Sequence, residues 1–331
     1  MEPNKVLFFK PGAIGDLLHT LPALKALHLK YPAVHVTLVV SPGLESLIPG
    51  PPVADRVLVF DKTKISRRFR DLFEFGLLLR KERYDVFVDL QPSLRSRIVR
   101  WISGAKQVLV YRKRKQDRYR GQRIHAADNF LETLKPLGIS GPVEQIELPL
   151  VANARASVDV FLKEHGIDGT RKIVALNCSV GSARPARNWF PERFALLADR
   201  IIDEIGASVV FVGGQEDREL VRQVMAGMRG TAVSAAGELT LAESAALLAR
   251  CSCLVSSDTG PLHLATAVQT PVIGLFGSTD PRRTGPIGRG NVVFIKDLPC
   301  VPCEKKDCPL GTRACMAAIP VDEVFEAIRN V

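Results

Sequence analysis

The chain has 331 residues, of which 46% are hydrophobic, with a formal net charge of +10. That length and apolar content suit two domains with real cores and exclude a disordered polyelectrolyte. No apolar run approaches the ~18 residues of a membrane helix, and Val6–Phe9 is too short for a secretion signal, so the expected compartment is the cytoplasm.

The first half alternates apolar strands with amphipathic helices. Val6 to Phe9 reads as a strand, followed by the glycine-containing loop Lys10 to Asp16. Leu17 to Lys30 reads as a helix disturbed early by Pro22. Strands follow at 34–40 and 57–60, a helix near 67–83, a strand at 85–90 and a helix at 93–102. A strand at 107–111, a basic loop at 112–123 and a helix near 124–137 close this half. Between Lys62 and Arg123 there are 19 Lys and Arg against 6 Asp and Glu, a local +13 that leaves −3 for the rest. Concentrated positive charge suits an anionic partner: a phosphorylated lipid headgroup, an acidic sugar or nucleic acid. A nucleic-acid binder would want interleaved aromatics, and the basic loop offers only Tyr111 and Tyr119.

Residues 142–154 read as a passage, and the pattern then restarts. A helix is expected at 157–165, a strand at 173–177, a helix at 191–205, a strand at 208–212 and a helix at 217–228. A strand at 231–234, a helix at 241–250 and a last helix at 321–328 complete the half. Strands alternating with helices imply parallel sheets covered on both faces. The expected class is α/β, with two Rossmann-like domains at 1–150 and 151–331.

One stretch concentrates the chemistry. Cys253 to Gly285 reads strand, turn, helix, strand, with Ser256-Ser257-Asp258-Thr259-Gly260-Pro261 at the turn. A helix N-terminus carries unpaired N–H donors and a positive dipole end, which suits a phosphate. Gly260 allows close approach, and Pro261 suits a first helical turn. The plainer alternative is a helix cap at Asp258 or Thr259 with a buried, satisfied His263.

The strings S-D-T-G-P-x-H-x-A and P-V-I-G-L-F-G-S-T-D-P resemble the nucleotide-sugar site of glycosyltransferase family 9, the lipopolysaccharide heptosyltransferases. K-P-G-A-I-G-D-L-L-H-T-L-P-A-L, from Lys10, resembles the same family's N-terminal motif. The resemblance covers most of the chain. It implies the GT-B architecture, two Rossmann-like domains facing across a ligand-binding cleft, with a last helix that can cross back onto the first domain.

In the N-terminal motif the aspartate after the second glycine is the family's proposed general base, here Asp16. It follows a strand end and begins a helix, where it can accept a proton from a sugar hydroxyl; the alternative is a capping aspartate. The glycine spacing is not G-x-G-x-x-G, which argues against a nicotinamide dehydrogenase. The family's acceptor is a sugar acid, Kdo, or a phosphorylated heptose on lipid A. Arg67, Arg68, Arg95 and Arg97 are the expected acceptor contacts, since arginine matches carboxylate and phosphate in a bidentate way.

On the donor side the resemblance places Ser182 near the diphosphate and Arg187 where the family usually has lysine. A cation there neutralises a leaving diphosphate. Glu216, after Gly213-Gly214, matches a glutamate thought to hold ribose hydroxyls. Thr259 and Gly260 would give N–H donors to the diphosphate, Asp258 would accept from a sugar hydroxyl, and His263 could donate to a phosphate. Trp189 reads as core.

Cys300-x2-Cys303-x4-Cys308-x6-Cys315 is a cluster that a cytosolic protein would not use as disulfides. Four thiolates could close round a structural zinc or an iron–sulfur cluster, although the family's chemistry needs no metal and no cofactor is expected for it. Cys178, Cys251 and Cys253 read as buried small hydrophobes. The resemblance thus implies an inverting transfer of heptose from ADP-heptose to the inner core of lipopolysaccharide. The enzyme would sit peripherally on the inner face of the inner membrane and bind no nucleic acid. An epimerase, or a transferase of another sugar, on the same fold is the rival.

Overall fold

The computed structural model describes residues 2–65, 69–114, 123–181 and 183–331. The chain divides into two compact units, Met1–Ile146 and Glu147–Val331.

The first unit runs β1 (Lys5–Phe9), α1 (Ile14–Leu18), α2 (Leu21–Lys30), β2 (His35–Val40), β3 (Arg56–Val59), α3 (Lys62–Ile65) and α4 (Phe69–Glu82). It continues with β4 (Val86–Asp89), α5 (Leu94–Ser103), β5 (Gln107–Val110) and α6 (Ala126–Glu132). Its five strands are parallel, in the order β3-β2-β1-β4-β5. β1 is central and buried, and Val6, Leu7 and Phe8 are fully inside. Each such side chain contributes about 1.5–3 kcal/mol through burial. Pro22 has no N–H and crowds the carbonyl four residues back, so α1 ends before α2 begins. Ser93 caps α5 in a capping box with Ser96, and α5 packs on α4 where Gly76 leaves room. A Cβ at Gly76 would stand 2.8 Å from Ile102.

The second unit runs α7 (Ala152–Glu164), β6 (Ile173–Asn177), α8 (Pro191–Arg200), β7 (Ser208–Phe211), α9 (Arg218–Ala226), β8 (Val233–Ser234) and α10 (Leu241–Leu248). β9 (Cys253–Ser257), α11 (Gly260–Ala267), β10 (Val272–Phe276), α12 (Pro281–Thr284), β11 (Val292–Ile295), α13 (Ala314–Ala317) and α14 (Val321–Arg329) follow. Six parallel strands lie in the order β11-β10-β9-β6-β7-β8. Trp189 is 1% exposed, as a core residue should be, and its indole donates to the Ile319 carbonyl at 3.1 Å.

Val324, Phe325 and Ile328 of α14 are buried in the second unit's own core, beside Trp189 and Phe194. Cys178, Cys251 and Cys253 are buried too. Burial pushes the Cys178 and Cys253 thiols up to about 12, so they stay protonated and inert.

Both sheets reverse their strand order once. In the first unit the reversal lies between β1 and β4, in the second between β6 and β9. Loops leaving the carboxyl ends of strands at such a point splay apart and leave a crevice, the usual ligand position in an open α/β sheet.

Candidate functional site

At the first reversal β1 delivers Lys10 and β4 delivers Gln91. Lys10 is only 2% exposed. It donates to Asp16 Oδ2 at 2.9 Å and to Gln91 Oε1 at 3.4 Å, and it lies 5.5 Å from the centre of the Phe130 ring. Asp16 is its counter-ion, but the Asp16 side chain is 51% exposed. One carboxylate oxygen is therefore anchored from within while the group still faces solvent. The capping alternative falls away, because Ala13 holds the N-cap position and no side-chain cap bond forms.

Gly12 makes this anchor fit. A Cβ there would stand 2.5 Å from Lys10 Nζ and 2.9 Å from Gln91 Oε1. Gly12→Ala is expected to displace the ammonium and the Asp16 carboxylate with it, cutting turnover by about 10²-fold. Steady-state rates beside a thermal melt test this, and unchanged turnover in a folded variant contradicts the anchor.

Two more cations belong to this neighbourhood. Burial pushes the Lys62 ammonium down, the charges of Lys10 and Arg95 add to that, and Asp16 opposes it. Lys10, Lys62 and Arg95 thus share one electrostatic surround with Asp16. Arg97 is exposed on α5. Arg67 and Arg68 lie outside the described residues.

β4 also ends in a buried charge. Asp89 is fully buried, with Arg100 Nη1 3.0 Å from Oδ2. It accepts the Gln91 N–H at 3.2 Å, which fixes the loop that presents Gln91.

At the second reversal the loops after β6, β9 and β10 converge. Arg187 Nη1 donates to the Asp258 carbonyl at 2.5 Å and lies 3.1 Å from Asp258 Oδ2. His263 Nε2 stands 3.3 Å from Asp258 Oδ1, and the Thr284 hydroxyl donates to Oδ2 at 3.2 Å. Asp258 is only 2% exposed. Both of its oxygens have partners within the protein, and through them Asp258 holds Arg187 and His263.

Burial alone would raise the Asp258 carboxyl. The His263 hydrogen bond, the charges of His263 and Arg187 and the Thr279 hydroxyl outweigh it, and the carboxyl is held below its usual value. A carboxyl lowered on folding adds stability above its unfolded pKa and loses it as pH falls through the folded one. The thermal midpoint is therefore expected to drop on acidification below about pH 4, and Asp258→Asn should drop less steeply there. Asp89 works in the opposite sense. Burial outweighs Ser96 and Arg100 and raises its carboxyl, so its contribution declines as pH rises. An Asp258→Asn acid limb as steep as the wild type's would contradict the Asp258 assignment.

Neither Asp258 nor Thr259 caps α11 through its side chain. Thr259 occupies the N-cap position without a side-chain cap bond, and Pro261 sits in the first turn. The Thr259 hydroxyl is drawn back to Asn177, whose Nδ2 donates to it at 2.9 Å and to Ser256 Oγ at 3.0 Å. The α11 N-terminus is left with backbone donors beside Arg187, a setting suited to an anionic oxygen. Glu216 is exposed in the turn after β7, where Asp217, and not Glu216, accepts the Gly214 N–H at 2.7 Å. Glu216 is thus free to meet a ligand but is not preset for one. Ser182 lies outside the described residues. Among the described residues no group of three or more His, Cys, Asp or Glu side chains is already set as a metal cage.

A profile of glycosyltransferase family 9 (heptosyltransferase) matches residues 72–313. The chain belongs to glycosyltransferase family 9. It is a glycosyltransferase of the GT-B architecture. Lipopolysaccharide heptosyltransferase 1 of Pseudomonas aeruginosa is 28% identical over 327 residues, covering 92% of this chain and 87% of its own. A family 9 glycosyl transferase from Veillonella parvula superposes with a TM-score of 0.86 at 25% identity, covering 99% of this chain and 96% of its own. The ADP-heptose heptosyltransferase II structure from E. coli, 19% identical, matches in fold with a TM-score of 0.81 and 98% coverage of both chains.

For a family 9 glycosyltransferase the informative surprises are Lys10, Gln91, Asn177 and Thr284. Lys10 carried a signal in the sequence, since a lysine closing an all-apolar strand must find an anion. Asn177 carried the same signal at the end of β6. Gln91 and Thr284 carried none, because their roles depend on which loops the sheet brings together.

Proposed function

We propose that this protein transfers a heptose from ADP-heptose to the inner core of lipopolysaccharide, with inversion at the anomeric carbon. The observation that carries the reading is the pair of constellations at the two strand-order reversals. One is an exposed carboxylate anchored by a buried ammonium, and the other is a helix N-terminus flanked by a buried arginine. Family membership and the name of the Pseudomonas relative give the sugar and the acceptor class.

In this reading Asp16 takes the proton from the acceptor hydroxyl as that oxygen attacks the anomeric carbon. The bond to the diphosphate breaks in the same displacement. Arg187, His263 and the N–H groups of Thr259 and Gly260 receive the growing negative charge of the leaving group. Ser182 and Glu216 hold the diphosphate and the ribose, and Asp258 holds Arg187 and His263 in position. No metal or cofactor takes part in the chemistry.

Lys62, Arg95 and Arg97, together with Arg67 and Arg68, receive an acidic acceptor, Kdo or a phosphorylated heptose on lipid A. The acceptor is a lipid, so the enzyme works against the inner face of the inner membrane, and no helix of the described residues is long and apolar enough to cross it. Replacing Arg95 and Arg97 together by Gln is expected to raise the acceptor KM about tenfold or more and flatten its salt dependence, with donor affinity intact. Weakened nucleotide-sugar binding in that variant would contradict the division of labour.

A panel of nucleotide sugars read by thermal shift tests the donor. ADP-heptose should stabilise the protein more than UDP- or GDP-sugars do, and a larger shift with another sugar nucleotide would overturn the donor assignment.

A further inference from the structure

The transfer reaction leaves four cysteines unused, and they are gathered in one place. Cys300, Cys303, Cys308 and Cys315 line a single cavity together with Ala186, Gly277 and Ser278. Cys315 is buried and the other three are half-buried.

Two tight turns present two of them. Cys303 is followed by Glu304 at φ 55, and Cys308-Pro309-Leu310 by Gly311 at φ 68. A left-handed residue just after the sulfur turns backbone N–H groups back towards it. The Arg313 N–H donates to Cys308 Sγ at 3.3 Å, and the Gly311 N–H donates to the Cys308 carbonyl at 3.0 Å, closing the turn. That is a setting for a sulfur that carries negative charge, as a metal-bound thiolate does. Gly277 clears the other side, where a Cβ would stand 2.6 Å from Cys315 Sγ.

We propose that Cys300, Cys303, Cys308 and Cys315 bind one thiophilic divalent ion, zinc or ferrous iron. Four sulfur ligands leave no open position, so the ion is structural and does not touch substrate. The thiols line the cavity wall, but as they stand the described residues form no group able to hold a metal, so binding must draw them in. Four thiol protons pass to solvent as four metal–sulfur bonds form, and the ion keeps its oxidation state.

The segment so closed backs directly onto the arginine loop. The Ala186 N–H donates to the Lys306 carbonyl at 3.0 Å. Arg313 Nη1 donates to the Asn188 carbonyl at 3.3 Å. Arg187 sits between those two anchors. On the other side the Glu304 N–H donates to the Ser278 carbonyl at 2.7 Å, and Arg283, next to Thr284, pairs with Glu304 at 2.8 Å. The ion would therefore stiffen both loops that grip Asp258. That consequence rests on the donor reading above, whereas the site itself does not.

Elemental analysis of the full chain, purified under reducing conditions without added metal, tests the site. About one equivalent of zinc plus iron per chain is expected, with loss of most of it in Cys303→Ser and in Cys308→Ser and retention in Cys251→Ser. Chelator treatment of the wild type should lower the thermal midpoint, and added zinc should restore it, which keeps the test open if a variant fails to fold. Stripping should also weaken ADP binding by about tenfold. Substoichiometric metal, with no response of the melt to chelator or zinc, overturns the proposal. One bound equivalent with unchanged ADP affinity upholds the site and overturns its tie to the arginine loop.

Discussion

Asp16→Asn is expected to lose about 10²-fold or more in turnover, the usual worth of a general base, and to keep its nucleotide affinity. The reason lies in the first unit alone. Asp16 offers a half-exposed carboxylate whose other oxygen is held by buried Lys10 at 2.9 Å. Asparagine keeps the shape and can still meet Lys10 through its carbonyl, so the fold should survive. It cannot take a proton. Single-turnover rates at saturating donor, beside calorimetric nucleotide binding, separate the two effects. Near-normal turnover would return Asp16 to a structural role as the partner of Lys10.

The second large effect is expected at Arg187. Its side chain is 17% exposed and that of Asp258 3%, so Arg187→Ala strands a buried carboxylate. Breaking such a pair costs about 3–5 kcal/mol of stability. It also removes the cation best placed for the leaving diphosphate, worth about 10²-fold or more in turnover. Arg187→Lys keeps the charge but not the planar guanidinium whose Nη1 meets both the Asp258 carbonyl and Oδ2, so its stability should fall less and its donor KM should still rise. Chemical denaturation together with donor-dependent rates measures both. An Arg187→Ala protein as stable as the wild type would contradict the buried-pair account.

Much of the fold was legible because both sheets are parallel. Fully buried strands such as Ile173–Asn177 stand out as short apolar runs between turn residues, and the structure bounds that strand at the same residues. The strand Val292–Ile295 was not legible. It alternates half-buried with exposed residues at a sheet edge and lacks the continuous run of a central strand. Helix α7 begins at Ala152, not Ser157, since Ala152-Asn153-Ala154-Arg155 looks like the tail of a proline-containing passage until Ala154 is seen to be buried. The site was legible where backbone chemistry makes it, at the turn before α11 and the loop after β1. The surroundings of Asp258 were not legible, because a carboxylate at the end of a strand looks the same in sequence whether it faces a ligand or a buried arginine. Only the geometry distinguishes them, through Arg187, His263 and Thr284 around its two oxygens.

The most direct test is to incubate the purified protein with ADP-heptose and Kdo-bearing lipid A and to follow both substrates. The account predicts one heptose added per acceptor, one ADP released per heptose, inverted configuration at the new linkage by NMR, and loss of all three in Asp16→Asn. Release of ADP with free heptose, or an altered nucleotide sugar with no gain of mass on the acceptor, would contradict it.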